Sequence, residues 1–283
     1  MHGKYSLPVE GVSVSRDEEL PVIVGPLLET DNLRVSPHEC LLSVPEVGRF
    51  YIREGREVVY SVASGADPEW VKLCLNGQVL VALLHQRKII NFHASSFIYN
   101  DRGVMILGET GAGKSSLTVS FALTGAGFLT DDLTPVIFKR MKPYIWPLSR
   151  DVKLRGNTIM QLDISSEKLR EAEKGTGKQY LEVNRADVKG HVLQTIMKIE
   201  IGDSRKVEFH EPSVAEKFSL LRSEICSWEM LAGMLETEAA YLQQLVQIVE
   251  KVRFVRVMRP AEITIAKFHS AVESYLNTEL HEV

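Results

Sequence analysis

Gly108, Glu109, Thr110, Gly111, Ala112, Gly113, Lys114 and Ser115 stand in one unbroken run and carry the strongest chemical signal in the sequence. They satisfy the pattern GxxxxGK[ST] in full, and Ser116 adds a second hydroxyl. Small residues let successive backbone N–H groups point into one concave nest, and such a nest holds phosphate oxygens. A helix opening at Lys114 would add the positive end of its dipole. Lys114 brings an ammonium able to reach the β- and γ-phosphates of ATP, and Ser115 a hydroxyl for Mg²⁺. The bland alternative, a glycine-rich turn that binds nothing, fits poorly with a complete match between an expected strand and an expected helix. A second run, Gly175-Thr176-Gly177-Lys178, lacks the upstream glycine and the following hydroxyl and reads as a solvated loop.

Adjacent carboxylates, Asp131 and Asp132, begin 17 positions after Lys114. A serine hydroxyl is a poor nucleophile at neutral pH, so a carboxylate beside the γ-phosphate can take its proton as attack proceeds. Neighbouring strand residues face opposite ways, yet at a strand end, where the backbone turns, both can reach one site. One or both of Asp131 and Asp132 are therefore expected to approach the γ-phosphate and its metal, beside Ser115. His93 lies 15 residues before Gly108, next to the small, polar Ala94-Ser95-Ser96. A histidine in an apolar strand is more often a core residue. The small neighbours favour close approach by a ligand, with His93 orienting Asp131 or the phosphate. Arg150, Lys153 and Arg155 offer cations for positioning the transferred group, or form an ordinary charged strand and loop. A GTPase would carry NKxD and an ABC transporter ATPase LSGGQ, and neither occurs.

These residues need a frame. Val104-Met105-Ile106-Leu107 reads as a strand buried on both faces, leading into the loop. A helix should follow from Lys114 to Leu123, ended by Gly125 and Gly127, then a strand through Phe128-Leu129-Thr130. Ile89 to Phe97 reads as one strand and Asn100-Asp101-Arg102-Gly103 as a turn. Upstream, Arg49–Arg53 and Glu57–Val62 read as strands, and Asp67-Pro68 as the cap and first turn of a helix reaching His85, weak at Gly77. Residues 134–212 read as mixed strand and loop. From Pro212 helices dominate: Leu231–Val252 and Ile263–Leu276 are helical patterns around a strand at Phe254–Met258. The expected organisation is a β-rich region over 1–87 ending in a helix, a P-loop core over 88–212, and a mainly helical region over 213–283.

Composition narrows the classes. The chain has 283 residues with 33 Lys plus Arg and 37 Asp plus Glu, a net charge of −4. No basic excess exists to hold nucleic acid or an anionic membrane by bulk charge. Cys40, Cys74 and Cys226 form no CxxC pair, and an odd count reads as reduced, small buried hydrophobes. The opening residues MHGKYSLPVEG contain no apolar segment of secretory type. A cytoplasmic protein is expected, with the C-terminal helices available for a homo-oligomeric interface.

His93-Ala94-Ser95, Gly108 to Ser116 and Asp131-Asp132, in that order and spacing, resemble the catalytic core of the HPr kinase/phosphorylase family, from about Phe92 to Val136. The resemblance implies an α/β fold of the mixed-sheet type shared with ATP-dependent phosphoenolpyruvate carboxykinase. It implies His93 as the catalytic histidine, Lys114 and Ser115 as the loop lysine and hydroxyl, Asp131 as the base and Asp132 near the metal. Kinases similar to this wider group also phosphorylate a serine of lasso-peptide precursors. Lys153-Leu154-Arg155-Gly156-Asn157-Thr158-Ile159 looks like a degenerate form of a stretch that, in the bifunctional enzymes, carries an acid before Arg-Gly. A lysine stands in place of that acid, which argues against the phosphorylase direction. The expected function is an ATP- and Mg²⁺-dependent kinase acting on a serine-type hydroxyl of a protein or peptide. The alternatives are a kinase of a small-molecule hydroxyl and a nucleotide-binding regulator that transfers nothing.

Overall fold

The computed structural model describes residues 7–148, 151–171, 177–183 and 190–278. The architecture is mixed α/β, and the chain divides into two compact units. One runs up to Asn91 and includes Ile225–Val246; the other spans Phe92–Glu224 and resumes at Gln247. The helical stretch from 213 onward, read from the sequence as one region, is divided between them.

In the first unit β1 (Ser13–Arg16), β2 (Leu28–Glu29), β3 (Leu33–Ser36), β4 (Glu39–Val44), β5 (Gly48–Arg53) and β6 (Glu57–Val62) form a sheet ordered β1-β6-β5-β4-β3-β2. Alternation sends Val35, Cys40, Leu42, Phe50, Ile52 and Val58 to one face, where Val71, Leu75, Val79 and Leu83 of the helical layer cover them. That layer starts as expected. The Asp67 side chain accepts the Glu69 N–H at 2.9 Å, and Pro68 opens α1 (Pro68–Cys74). The helix then loosens into a π-helical turn over Leu75–Val79, around Gly77, before α2 (Leu80–Gln86). All three cysteines are free thiols; Cys40 is buried, and burial pushes its thiol up to about 12.

The chain leaves this unit along β7 (Ile90–Phe92) and enters the second through β8 (Ser95–Tyr99) and β9 (Arg102–Gly108). The single strand expected over Ile89–Phe97 is therefore two. At His93 the backbone N–H donates to the carbonyl of Glu224 at 2.7 Å, which takes it out of the ladder. There follow α3 (Lys114–Leu123), β10 (Gly127–Thr130), β11 (Thr134–Lys139), β12 (Lys142–Ile145), β13 (Asp151–Arg155), α4 (Gly156–Gln161), β14 (Leu169–Glu171), β15 (Lys178–Glu182) and β16 (His191–Gly202). Then come β17 (Glu208–His210), α5 (Val214–Ser223), α6 (Leu235–Lys251), β18 (Arg253–Pro260) and α7 (Ile265–Thr278). The short helix α4 is an addition to the strands and loops expected between 134 and 212.

The main sheet runs β10-β8-β9-β16-β12-β11, with β18 beside β16. It is mixed: β8 is antiparallel to β9, whereas β9, β16 and β18 are mutually parallel along the row. The three parallel strands bring their C-terminal ends to one edge, the usual place for ligands in such sheets. Val104 to Leu107 is buried throughout. Phe97, Ile106, Leu117, Phe121, Val257 and Phe268 belong to one core cluster between this sheet and the helices α3 and α7. Val119 and Phe128 pack instead with Val152, Leu154 and Leu181 of a small sheet ordered β13-β15-β14. Thus α3 is held on two sides, which fixes the direction in which its first turn points. Among the described residues no helix is long and apolar enough to cross a membrane.

Candidate active site

The glycine-rich run connects β9 to α3, as the pattern requires. Gly108 sits at φ 148°, and a Cβ there would lie 2.7 Å from the carbonyl oxygen of Ile199, so the loop can leave the sheet only through glycine. Gly113 adopts φ 102° and caps α3 with no side-chain bond to the helix N–H groups. Those donors therefore open onto a cavity of about 590 Å³. Of the run, Glu109, Thr110, Gly111, Gly113, Lys114, Ser115 and Ser116 line it, whereas the buried Ala112 packs under the loop. Lys114 is largely buried and its Nζ donates to the carbonyl of Gly108 at 2.6 Å. Burial holds its pKa below the ordinary lysine value, helped by the Lys198 charge and opposed by Glu224, Asp132 and Asp131.

The two carboxylates occupy a three-residue turn just past β10. Leu133 N–H bonds back to the Asp131 carbonyl at 2.8 Å, and Asp132 sits at its centre with φ 64°. Such a γ-turn is strained for a non-glycine residue, and strain of this kind gathers at functional sites. It sends the side chains apart. Asp131 is half-buried, and its Oδ1 accepts the hydroxyl of Ser115 at 2.8 Å and a short hydrogen bond from Ser95. Its Oδ2 accepts the Lys153 backbone N–H at 3.3 Å. Burial, reinforced by the neighbouring Asp132 charge, pushes Asp131 up to about 6, while those three donors pull the other way. Asp132 is exposed and lines the cavity; Asp131 is not among the lining residues.

The small, polar stretch beside His93 now has a reason. Ser95 faces Asp131. Ser96 faces Thr130, whose hydroxyl meets that of Thr134 at 2.5 Å, and Thr134 donates to the carbonyl of Ala94 at 2.9 Å. This buried hydroxyl chain braces the strands on either side of the carboxylate turn. His93 is half-buried at the cavity wall. Burial, then the Lys114 charge, lowers its pKa, against the Asp132 and Glu224 charges and a hydrogen bond to the Asp132 backbone. Glu224 in turn forms a short, buried ion pair with Lys198 of β16.

Lys153 and Arg155 line the cavity from β13; Arg150 lies outside the described residues. The same holds for the second glycine run up to Thr176, although Lys178 is described and also lines the cavity. Sequence reasoning missed Arg259, Thr158, Lys198 and Glu224. The Arg259 Nε donates to the carbonyl of Ala112 at 2.8 Å, and its Nη1 to that of Pro260 at 2.9 Å. It thereby ties the loop to the end of β18. The parallel order of β9, β16 and β18 was the missing cue, because it places the end of β18 beside the loop. Thr158 of α4 pairs with the Ser116 hydroxyl at 2.8 Å.

Hard oxygen donors (the Ser115 hydroxyl and the two carboxylates) beside backbone donors suit a magnesium ion carried on phosphate oxygens. Among the described residues no group of three or more His, Cys, Asp or Glu is arranged to hold a metal alone. No protein-family model matches the chain, and no curated protein does. Among solved structures the chain is similar to the HPr(Ser) kinase/phosphatase from Coxiella burnetii, at 11% identity and a TM-score of 0.34, over 68% of this chain and 94% of that one. So distant a likeness transfers no residue's role.

Proposed function

We propose that the protein is an ATP-dependent kinase that phosphorylates a serine-type hydroxyl of a protein or peptide. The observation that carries this reading is the convergence of the loop, Lys114, Ser115 and Asp132 on one cavity, with Ser115 hydrogen-bonded to Asp131 at 2.8 Å behind it. The loop N–H groups and Lys114 bind the β- and γ-phosphates, Lys114 exchanging a carbonyl partner for phosphate. A bound Mg²⁺ neutralises charge on the phosphate oxygens. Asp131 accepts the hydrogen bond of the Ser115 hydroxyl, which orients that oxygen.

The acceptor O–H bond breaks as its proton passes to a carboxylate. A bond forms between that oxygen and the γ-phosphorus, and the bond from the γ-phosphorus to the bridging oxygen breaks, releasing ADP. Asp131 is committed to three hydrogen bonds, whereas Asp132 faces the cavity beside His93. This favours exchanging the duties expected from the sequence: Asp132 takes the proton and Asp131 orients Ser115. A regulator that only sensed ATP would need no proton acceptor.

The test is γ-labelled ATP with Mg²⁺ and a panel of acceptors, together with calorimetric ATP binding. Lys114→Ala should lower transfer by about 10²- to 10³-fold and weaken ATP binding. Full activity in that variant would remove the nucleotide from this loop.

A further inference from the structure

Strand order gives the glycine-rich loop two different flanks. On one side of β9 lie β8 and β10, which bring His93 and the carboxylate turn to the cavity. On the other side lie β16 and then β18, which bring Arg259 and the chain that follows it. On the kinase reading, a triphosphate held by the loop points its γ end at the proton acceptor. Its α end, with the nucleoside, then leaves toward β18.

The surface on that side is apolar. Ala261 is exposed, Ile263 and Ile265 are half-buried and Phe268 is buried, and all four line the cavity. Small-molecule sites are lined mainly by such side chains, and a volume of about 590 Å³ falls within their usual range. A flat ring laid on this surface removes apolar area from water, with a gain in proportion to that area.

Polar groups beside the surface are engaged with one another. The Ile265 N–H donates to Gln161 Oε1 at 3.0 Å, and Gln161 Nε2 donates to Asn157 Oδ1 at 3.2 Å. Arg259 donates to the carbonyls of Ala112, Pro260 and Ala261, and its guanidinium lies 5.9 Å from the centre of the Phe268 ring. These bonds tie α4 to α7 and the loop to β18. Strong discrimination between ligands needs hydrogen bonds that one of them makes and the other cannot, and apolar contact alone discriminates weakly.

We propose that the wall formed by Ala261, Ile263 and Ile265 over Phe268 receives the nucleobase of the phosphoryl donor by apolar contact, so that adenine and guanine nucleotides serve alike. The inference rests on the kinase reading above, and it adds the base subsite and the specificity of the donor.

The full chain is titrated by calorimetry with three ligands, each with Mg²⁺. They are a non-hydrolysable ATP analogue, the matching GTP analogue, and inorganic tripolyphosphate, which has the phosphates without a nucleoside. Both analogues should bind at least about tenfold more tightly than tripolyphosphate, and within about threefold of each other. Ile263→Ser with Ile265→Ser should bring both analogues to within about threefold of tripolyphosphate, which itself should bind as before. Ile265→Ser alone should narrow the gap by at least about threefold, and it keeps the test decisive if the double variant fails to fold. Analogues that bind the wild type no better than tripolyphosphate overturn the proposal and leave the kinase reading standing. A preference beyond about threefold for either base overturns it as well, because the base edge would then be read. So does a variant that keeps the full gain from the nucleoside. Equal weakening of all three ligands in the variants also overturns it, since these residues would then act on the loop. If the wild type bound none of the ligands, the kinase reading would fall and this inference with it.

Discussion

Each unit contains a buried polar cluster built around a histidine, and the two are made differently. In the first unit His85 is fully buried, and both ring nitrogens have partners. One meets the Tyr241 hydroxyl at 2.9 Å and the other the Cys226 carbonyl at 3.0 Å. The Tyr241 hydroxyl also lies 2.5 Å from the carbonyl of Ile89, and Thr237 donates to the carbonyl of His85 at 3.2 Å. Burial pulls the His85 pKa down to about 4, so the ring is neutral. In the second unit His93 borders a cavity and faces charges of both signs, and the adjacent Asp131 is buried enough to be pushed up to about 6. A closed network of neutral partners holds a fold together. Titratable groups of opposing charge at a cavity wall keep chemistry within reach, at some cost in stability.

Asp131→Asn attacks this contrast most strongly. Ser115 and Ser95 lose the anionic acceptor that orients them. Phosphoryl transfer should fall about 10²- to 10³-fold, with a higher Mg²⁺ concentration needed for half-maximal rate. Asp132→Asn should lower transfer without moving the Mg²⁺ requirement. If Asp131→Asn left both transfer and the Mg²⁺ requirement untouched, the anchoring role would be lost. Stability should respond with the opposite sign. The carboxyl of Asp131 holds its proton more tightly in the folded state, so its contribution favours folding below about pH 4 and is lost as pH rises to about 6. Denaturant melts of wild type and Asp131→Asn should diverge over that window, the variant gaining relative to wild type as pH rises.

His85→Leu is the matching attack on the first unit. The Cys226 carbonyl loses its partner and Tyr241 one of its contacts, for a cost of about 2–3 kcal/mol. Transfer per folded molecule should not change; a loss of turnover in fully folded protein would break the distinction drawn between the clusters. The pH dependence is again specific. With a folded pKa near 4 against about 6.5 unfolded, His85 contributes stability that is present above pH 6.5 and lost as pH falls through 4. The term is worth about 3 kcal/mol in wild type and is absent from the leucine variant. Its slope is the reverse of the Asp131 slope over much of the same range.

The contrast also explains what the sequence reveals. Gly108 to Ser115 is legible because the pattern GxxxxGK[ST] constrains consecutive residues, so spacing alone carries the information. The strand at Val104–Leu107, the helix at Lys114–Leu123 and the Asp67-Pro68 cap are local in the same sense. Arg259 and Glu224 are not, since each reaches the site only through strand order and a long-range backbone contact. The duties we propose for Asp131 and Asp132 turn on one dihedral, φ 64° at Asp132, and no spacing rule encodes it. His85 shows the converse problem: in sequence it lies in an apolar helix with nothing to mark its two partners 141 and 156 residues away.

Glycine separates the two regions on the smallest scale. Gly113 is required, because φ 102° is a conformation that side chains rarely adopt. Gly77 carries no such demand. It sits inside the helical layer of the first unit with a backbone that any residue tolerates, and a Cβ there would meet nothing within 4 Å. Gly77→Ala should therefore stabilise the protein by about 0.5–1 kcal/mol, through the backbone entropy that glycine loses on folding. A thermal melt should show a rise of a few degrees at most, with transfer unchanged. A fall in melting temperature would mean that the π-helical turn at Leu75–Val79 depends on glycine for its geometry, and that this glycine belongs with Gly113 after all.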